Sequence, residues 1–135
     1  MKITTETIQQ LIGEARKASK NAYAPYSNFP VGAAFIAEDK KLYSGSNIEN
    51  ASYGLSICAE RSAIFSSIKA GNRTIKVLVV YTPTNTPTMP CGACRQVIRE
   101  FSQNALIVSV CDSEQRIIKF ISELLPEDFG PNNLT

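Results

Sequence analysis

The 135-residue chain contains no histidine at all and only four cysteines. Without histidine, a metal site here has to draw on thiolates and carboxylates. The segment Met1-Lys2-Ile3-Thr4-Thr5-Glu6 has no apolar core of the kind a signal peptide needs, and no apolar run approaches the length of a membrane span. The expectation is a soluble, cytoplasmic protein with no membrane partner. In a reducing compartment, four cysteines read as thiolates or core residues rather than disulfides. A strong charge imbalance is also missing: 14 Lys and Arg face 12 Asp and Glu, a net +2. That is too weak for the basic surface of a polynucleotide binder, so no nucleic-acid partner is expected. Arg16, Lys17 and Lys20, the densest basic group, fit a solvated helix end, where cations oppose the helix dipole. There is no internal repeat and no low-complexity segment.

What is present reads as one domain over residues 1–135, long enough to bury a core without staples. Thr4 or Thr5 caps a helix whose apolar positions Ile8, Leu11, Ile12, Ala15 and Ala18 recur at helical spacing and which ends before Ala24-Pro25-Tyr26. Residues 31–37 and 42–46 form two short strands joined by the turn Glu38-Asp39-Lys40-Lys41. Residues 47–56 are polar and irregular. A helix over about 57–70 stops at Gly71-Asn72. Residues 75–81 are a β-branched run typical of a strand buried on both faces, and a loop with three prolines leads to a helix over 91–101. The strands 105–111 and 116–120 are separated by only Asp112-Ser113-Glu114-Gln115. A parallel return needs a crossover of about a dozen residues, so this pair is an antiparallel hairpin.

The chemistry lies in two motifs, Cys58-Ala59-Glu60 and Pro90-Cys91-Gly92-Ala93-Cys94. Cys91 and Cys94 sit three apart at a helix start, where both sulfurs reach one ion, and Cys58 opens the other helix. Helix N-termini favour thiolates because the free amides and the dipole stabilise negative charge. Three thiolates leave the fourth tetrahedral position of a zinc ion open, which suits a water, and Glu60 is an acid/base group to move that water's protons. Arg61 offsets the negative charge of an all-thiolate site and can hydrogen-bond its sulfurs. A Cys-x-x-Cys pair alone fits redox or metal work equally. Cys111, inside an apolar stretch, reads as a buried hydrophobe, yet as a fourth ligand it would make the site structural. One difficulty remains open, since residues two apart on a regular helix diverge, and Cys58 and Glu60 must converge.

Cys-Ala-Glu-Arg at 58–61 together with Pro-Cys-Gly-Ala-Cys-Arg-Gln at 90–96 resembles the cytidine deaminase family, within the general zinc-deaminase signature of thiolate ligands and a non-ligand glutamate. The segments Ala24-Pro25-Tyr26-Ser27, Phe29-Pro30-Val31-Gly32-Ala33-Ala34, Asn47-Ile48-Glu49-Asn50-Ala51-Ser52-Tyr53 and Glu123-Leu124-Leu125-Pro126 extend the resemblance over residues 5–130. It implies an α/β/α sandwich with a five-stranded mixed sheet, an antiparallel hairpin of the last two strands, and both ligand-bearing helices on one face. It implies one zinc per subunit, held by Cys58, Cys91 and Cys94. The implied reaction is hydrolytic deamination of cytidine and deoxycytidine to uridine and deoxyuridine, with Glu60 as base and then acid in pyrimidine salvage. Asn47 and Glu49 would hold the ribose hydroxyls, Phe29 would pack on the base, and Ala59 would offer backbone hydrogen bonds. The resemblance further implies a homotetramer in which Tyr53 and Phe129 complete a neighbouring subunit's site. Arg95 is expected to be structural, on the same helix as Gln96.

Polynucleotide editors, blasticidin-type or other small-molecule cytosine-nucleoside deaminases, and a structural zinc module are the competing readings, while the missing histidine and the length exclude the longer, histidine-ligated, dimeric cytidine deaminases. The editors commonly use histidine in place of the first cysteine and carry a helix between the fourth and fifth strands, where this chain has four residues. Blasticidin-type enzymes lack the Asn-x-Glu-Asn and Phe-x-Val-Gly-Ala-Ala segments. A structural module would need four protein ligands.

Overall fold

The computed structural model describes residues 3–134; Met1, Lys2 and Thr135, part of the 1–135 span read above as one domain, lie outside the described residues. Helix α1 (Thr5–Ser19) starts where expected, with the Thr4 hydroxyl accepting a hydrogen bond from the Thr7 amide at 3.1 Å. Strands β1 (Gly32–Ala37) and β2 (Leu42–Ser46) follow, then α2 (Ala59–Lys69), β3 (Ile75–Tyr81), α3 (Gly92–Phe101), β4 (Leu106–Val110), β5 (Arg116–Phe120) and the single turn α4 (Ile121–Leu124).

The strand order is β2-β1-β3-β4-β5, with β3 and β4 parallel and every other neighbouring pair antiparallel. The β4–β5 pairing runs from Leu106 opposite Phe120 to Val110 opposite Arg116, as the short connection demanded. Side-chain alternation divides β1 between two cores. Ala33, Phe35 and Ala37 join Ala63 and Ile64 of α2 and Ile98 of α3, whereas Ala34 and Ile36 meet Leu11, Ile12 and Ala15 of α1 on the opposite face. All six β1 residues are buried, which is why this stretch carries no polar alternation. The result is the expected α/β/α sandwich, with both ligand-bearing helices on one face.

Two glycines set the layer spacing. A Cβ on Gly32 would fall 1.8 Å from the Ala15 carbonyl oxygen, and one on Gly45 would fall 2.4 Å from the Ala63 amide nitrogen. Backbone is the obstacle in both cases, so no rotamer change relieves it. Gly45 thus lets the first turns of α2 lie directly on β2, and α2 carries the site. Segment 47–56 is less irregular than its composition suggests: Tyr23 bridges Ile48 and Ile48 bridges Ile57, with a 3-10 turn over Tyr53–Leu55.

Candidate metal and nucleoside site

Cys58 and Cys91 are the N-cap residues of α2 and α3, and Cys94 lies in the first turn of α3. Neither cap cysteine uses its side chain to satisfy the helix amides. Both helix N-termini consequently direct their partial positive charge toward the sulfurs, the arrangement that favours thiolate. The three sulfurs lie within 4.8 Å of one another, and those of Cys58 and Cys91 are 3.8 Å apart. Ligands at about 2.3 Å around a tetrahedral ion stand about 3.8 Å from each other, so the spacing and the all-sulfur donor set both fit zinc. Among the described residues no other group of three candidate ligands gathers in this way.

Cys111 stays apart. It is fully buried just past the end of β4, its sulfur beside the Ser113 hydroxyl at 3.2 Å and the Gln115 carbonyl at 3.6 Å, and its own carbonyl accepts from Arg16 at 3.0 Å. That matches a small buried hydrophobe at a strand end.

The divergence of Cys58 and Glu60 is resolved by the cap. Cys58 has φ −72° and ψ 157°, extended backbone outside the helix, so the 100° per residue of a helix does not apply between it and Glu60. The helix begins at Ala59, two residues later than the hydrophobic pattern suggested, and that shift lets the two side chains share one space. Glu60 is only 5 % exposed. Burial, reinforced by the Cys58 thiolate, raises its carboxyl to about 7. Arg61 donates from Nη2 to the Cys58 sulfur at 3.4 Å, the charge-offsetting contact anticipated for it. Cys58 is drawn down to about 5, first by a hydrogen bond from the Cys94 thiol and then by Arg61. The same contact with Cys58 pushes Cys94 up. Among the three sulfurs, negative charge is thus favoured on Cys58, next to the arginine.

A cavity of about 380 Å³ opens over these groups, lined by Cys58, Ala59, Glu60 and Cys91 at its floor and by Ser27, Phe29, Asn47 and Glu49 at its rim. That volume suits a small ligand with an apolar ring and a polar appendage. A larger hollow of about 470 Å³ lies elsewhere, between the start of β3 and the end of α3, and contains no cysteine.

At the rim, the Asn47 amide is engaged at both ends: Oδ1 accepts from the Val31 amide at 2.9 Å and Nδ2 donates to the Phe29 carbonyl at 2.8 Å. The Glu49 carboxylate accepts from the Tyr26 amide at 2.9 Å, the Ser27 amide at 3.1 Å and the Ser27 hydroxyl. The Ser27 bond, before any other influence, holds that carboxyl below its usual range. Both polar residues thus brace segment 24–31 while facing the cavity.

Tyr53 and Phe129 are not brought to this cavity. Tyr53 is 75 % exposed beside Tyr26 in an adjoining hollow, and Phe129 is 57 % exposed, its carbonyl accepting from Gln96. Arg95 is structural, as expected, bonding the Pro90 and Leu124 carbonyls at 2.7 and 3.0 Å. Sequence reasoning missed Ser27, Val31, Val80, Thr82, Thr88 and Met89 as wall residues. Only Ser27 and Val31, lying in segments already singled out, carried a usable signal.

With this geometry in place, comparison with known proteins is decisive. The pattern described as the cytidine and deoxycytidylate deaminase zinc-binding region matches residues 5–110, spanning both cysteine motifs. The chain belongs to this deaminase family. It is 44 % identical over 129 residues to a cytidine deaminase of Sporosarcina psychrophila, covering 95 % of each chain. A cytidine deaminase of Halalkalibacterium halodurans is 45 % identical over 127 residues, covering 93 % of this chain and 96 % of the relative. Among solved structures, the cytidine deaminase of Burkholderia pseudomallei superposes with a TM-score of 0.87 at 42 % identity, covering 94 % of this chain and all of the other. The deaminase fold and the three-cysteine metal centre thus follow from this kinship as well as from the geometry above.

Proposed function

We propose that this chain hydrolytically deaminates cytidine and deoxycytidine to uridine and deoxyuridine, releasing ammonia. The observation that carries the reading is the buried Glu60 facing the same cavity as Cys58 and Cys91 of the three-thiol cluster, with the polar Ser27, Asn47 and Glu49 at its rim. Cys58, Cys91 and Cys94 would hold one zinc ion per subunit, whose Lewis acidity makes water nucleophilic near neutral pH. Glu60 accepts a proton from the attacking water and delivers it to N3 of the ring as the C4–O bond forms. It then carries the water's second proton to the amino group, the C4–N bond breaks, and ammonia leaves as the C4 carbonyl forms. One carboxyl serves both steps best when its pKa lies near the working pH, and the rise to about 7 that burial causes supports this role for Glu60.

At the rim, Phe29 packs against the base, the Ala59 backbone hydrogen-bonds its edge, and Asn47 with Glu49 takes the ribose hydroxyls. The engagement of both polar side chains with segment 24–31 supports this reading, since it fixes them before substrate arrives. The exposure of Tyr53 and Phe129 supports a homotetramer in which these rings close a neighbouring subunit's site. The whole chain, residues 1–135, acts as one catalytic domain in cytoplasmic pyrimidine salvage. Among the described residues no helix is long and apolar enough to cross a membrane, and all four cysteines are free thiols.

The test is a metal-quantified assay on cytidine, deoxycytidine, cytosine, dCMP, blasticidin S and a cytidine-containing oligonucleotide, with wild-type protein and Glu60→Gln. Turnover of the two nucleosides is expected, with about one zinc per chain. The variant should retain zinc and lose activity by about 10²–10⁴-fold. Turnover of blasticidin S alone or of the oligonucleotide alone would overturn the reading, as would full activity in the variant.

A further inference from the structure

Ser27 is exposed at the lip of the cavity and joins its two rim functions. Its hydroxyl donates to Oε2 of Glu49 and accepts from the Phe29 amide at 3.1 Å. The Glu49 Oε1 is occupied by the Tyr26 and Ser27 amides at 2.9 and 3.1 Å. A carboxylate offers roughly four acceptor positions. These three bonds leave one, on Oε2, the oxygen that Ser27 holds. Asn28 between Ser27 and Phe29 has φ +53°, so the backbone turns sharply there and the serine hydroxyl bridges the turn.

We propose that Ser27 is a positioning residue that aims the open lone pair of Glu49 Oε2 at the sugar 3′-hydroxyl while fixing the Phe29 backbone beside the base. This rests on the reading of Glu49 as a ribose contact. A single hydroxyl group thus links sugar recognition to base packing through the chain Phe29 N–H, Ser27 O–H, Glu49 carboxylate, in which each bond polarises the next. Without the hydroxyl, Glu49 keeps its two backbone bonds through Oε1, but Oε2 is no longer tethered and must be ordered by the substrate itself. That cost falls on substrate binding and on the 3′-hydroxyl in particular.

Steady-state kinetics with cytidine and 3′-deoxycytidine on the zinc-loaded wild type, Ser27→Ala, Ser27→Thr and Glu49→Ala test this. Wild type should favour cytidine. Ser27→Ala should raise the cytidine KM about 10-fold, the scale of a hydrogen bond to a charged group, with kcat within about 2-fold. Its constants for 3′-deoxycytidine should worsen less, by only the share that the lost Phe29 amide bond carries, so the discrimination shrinks. Ser27→Thr, which keeps the hydroxyl, should preserve it, and Glu49→Ala should abolish it. If Ser27→Ala does not fold, Ser27→Cys, a weak donor of similar shape, carries the same comparison. An equal loss on both substrates, or no change on either, in a variant that melts like wild type overturns the positioning role while leaving Glu49 in place. If wild type and Glu49→Ala handle the two substrates alike, the sugar reading itself fails and the Ser27 proposal falls with it.

Discussion

The floor and the rim of the cavity are built by different means. At the floor, two helix N-termini present Cys58, Cys91 and Cys94, and the supporting backbone belongs to elements packed on the same sheet face as Phe35, Ile64 and Ile98. At the rim, the coil segment 24–31 is held by two polar side chains, Asn47 and Glu49, through five hydrogen bonds. The floor derives its precision from packing, which is stiff and hard to perturb locally. The rim derives its precision from a few directional bonds, each of which a single substitution removes. Reacting groups need fixed geometry, whereas a rim that must admit and release substrate is better served by bonds than by a packed core.

Cys91→Ala should break the floor without touching the rim, and it carries the largest expected effect. With two thiolates left, zinc content should fall well below one per chain and deamination should drop to background, while circular dichroism shows an intact fold. Cys91 is exposed and is not part of the core, so the fold has no packing to lose there. Collapse of the secondary structure in the metal-free variant would show that the metal, and not the apolar packing, holds the floor together.

The two regions also differed in how far the sequence revealed them. The cysteine spacing, Glu60 and Arg61 were legible because each is fixed within a few residues by a helix start, a local event with local signals. Even there the register of Cys58 was not. Apolar periodicity suggested a helix from about residue 57, and only the structure shows Cys58 as an extended cap. The rim was legible in identity and opaque in arrangement. Asn47 reaches back 16 and 18 residues to Val31 and Phe29, and Glu49 reaches back 22 and 23 to Ser27 and Tyr26, pairings that no local pattern encodes. The bridges from Ile48 to Tyr23 and Ile57 escaped notice for the same reason, although they are what set that segment in place. The sandwich and the final hairpin were readable because strand runs and loop length constrain topology directly.

Gly45→Ala tests the seam between the two regions. Gly45 lies on β2, two residues before Asn47, and its missing side chain admits the α2 backbone at Ala59 and Ala63. A methyl group there would have to displace α2, moving the floor relative to the rim. The expected cost is about 1–3 kcal/mol in chemical denaturation, the range for overpacking. Zinc should be retained, because all three ligands remain, while kcat and KM both worsen as Glu60 and the rim lose their alignment. Wild-type kinetics in a destabilised variant would mean that floor and rim tolerate relative displacement, and the contrast drawn between them would lose its functional meaning.

Cys111→Ala should have the smallest effect and bears on the contrast from outside both regions. The Cys111 sulfur faces Ser113 and Gln115 at the turn into β5 and is absent from the cluster of three. Its loss should cost about 1 kcal/mol of stability, typical of a modest core truncation. Zinc should remain near one per chain and kcat/KM within about 2-fold of wild type. The comparison with Cys91→Ala is then informative in itself: two thiols in one chain, one exposed at a helix cap and one fully buried at a strand end, with the exposed one essential to the metal. A helix N-terminus at the sulfur cluster marks a cysteine that ligates, and Cys94, as fully buried as Cys111, shows that position and not exposure draws the line. Loss of zinc from Cys111→Ala would make it a fourth ligand, closing the position that water needs, and the hydrolytic role assigned to Glu60 would fail with it.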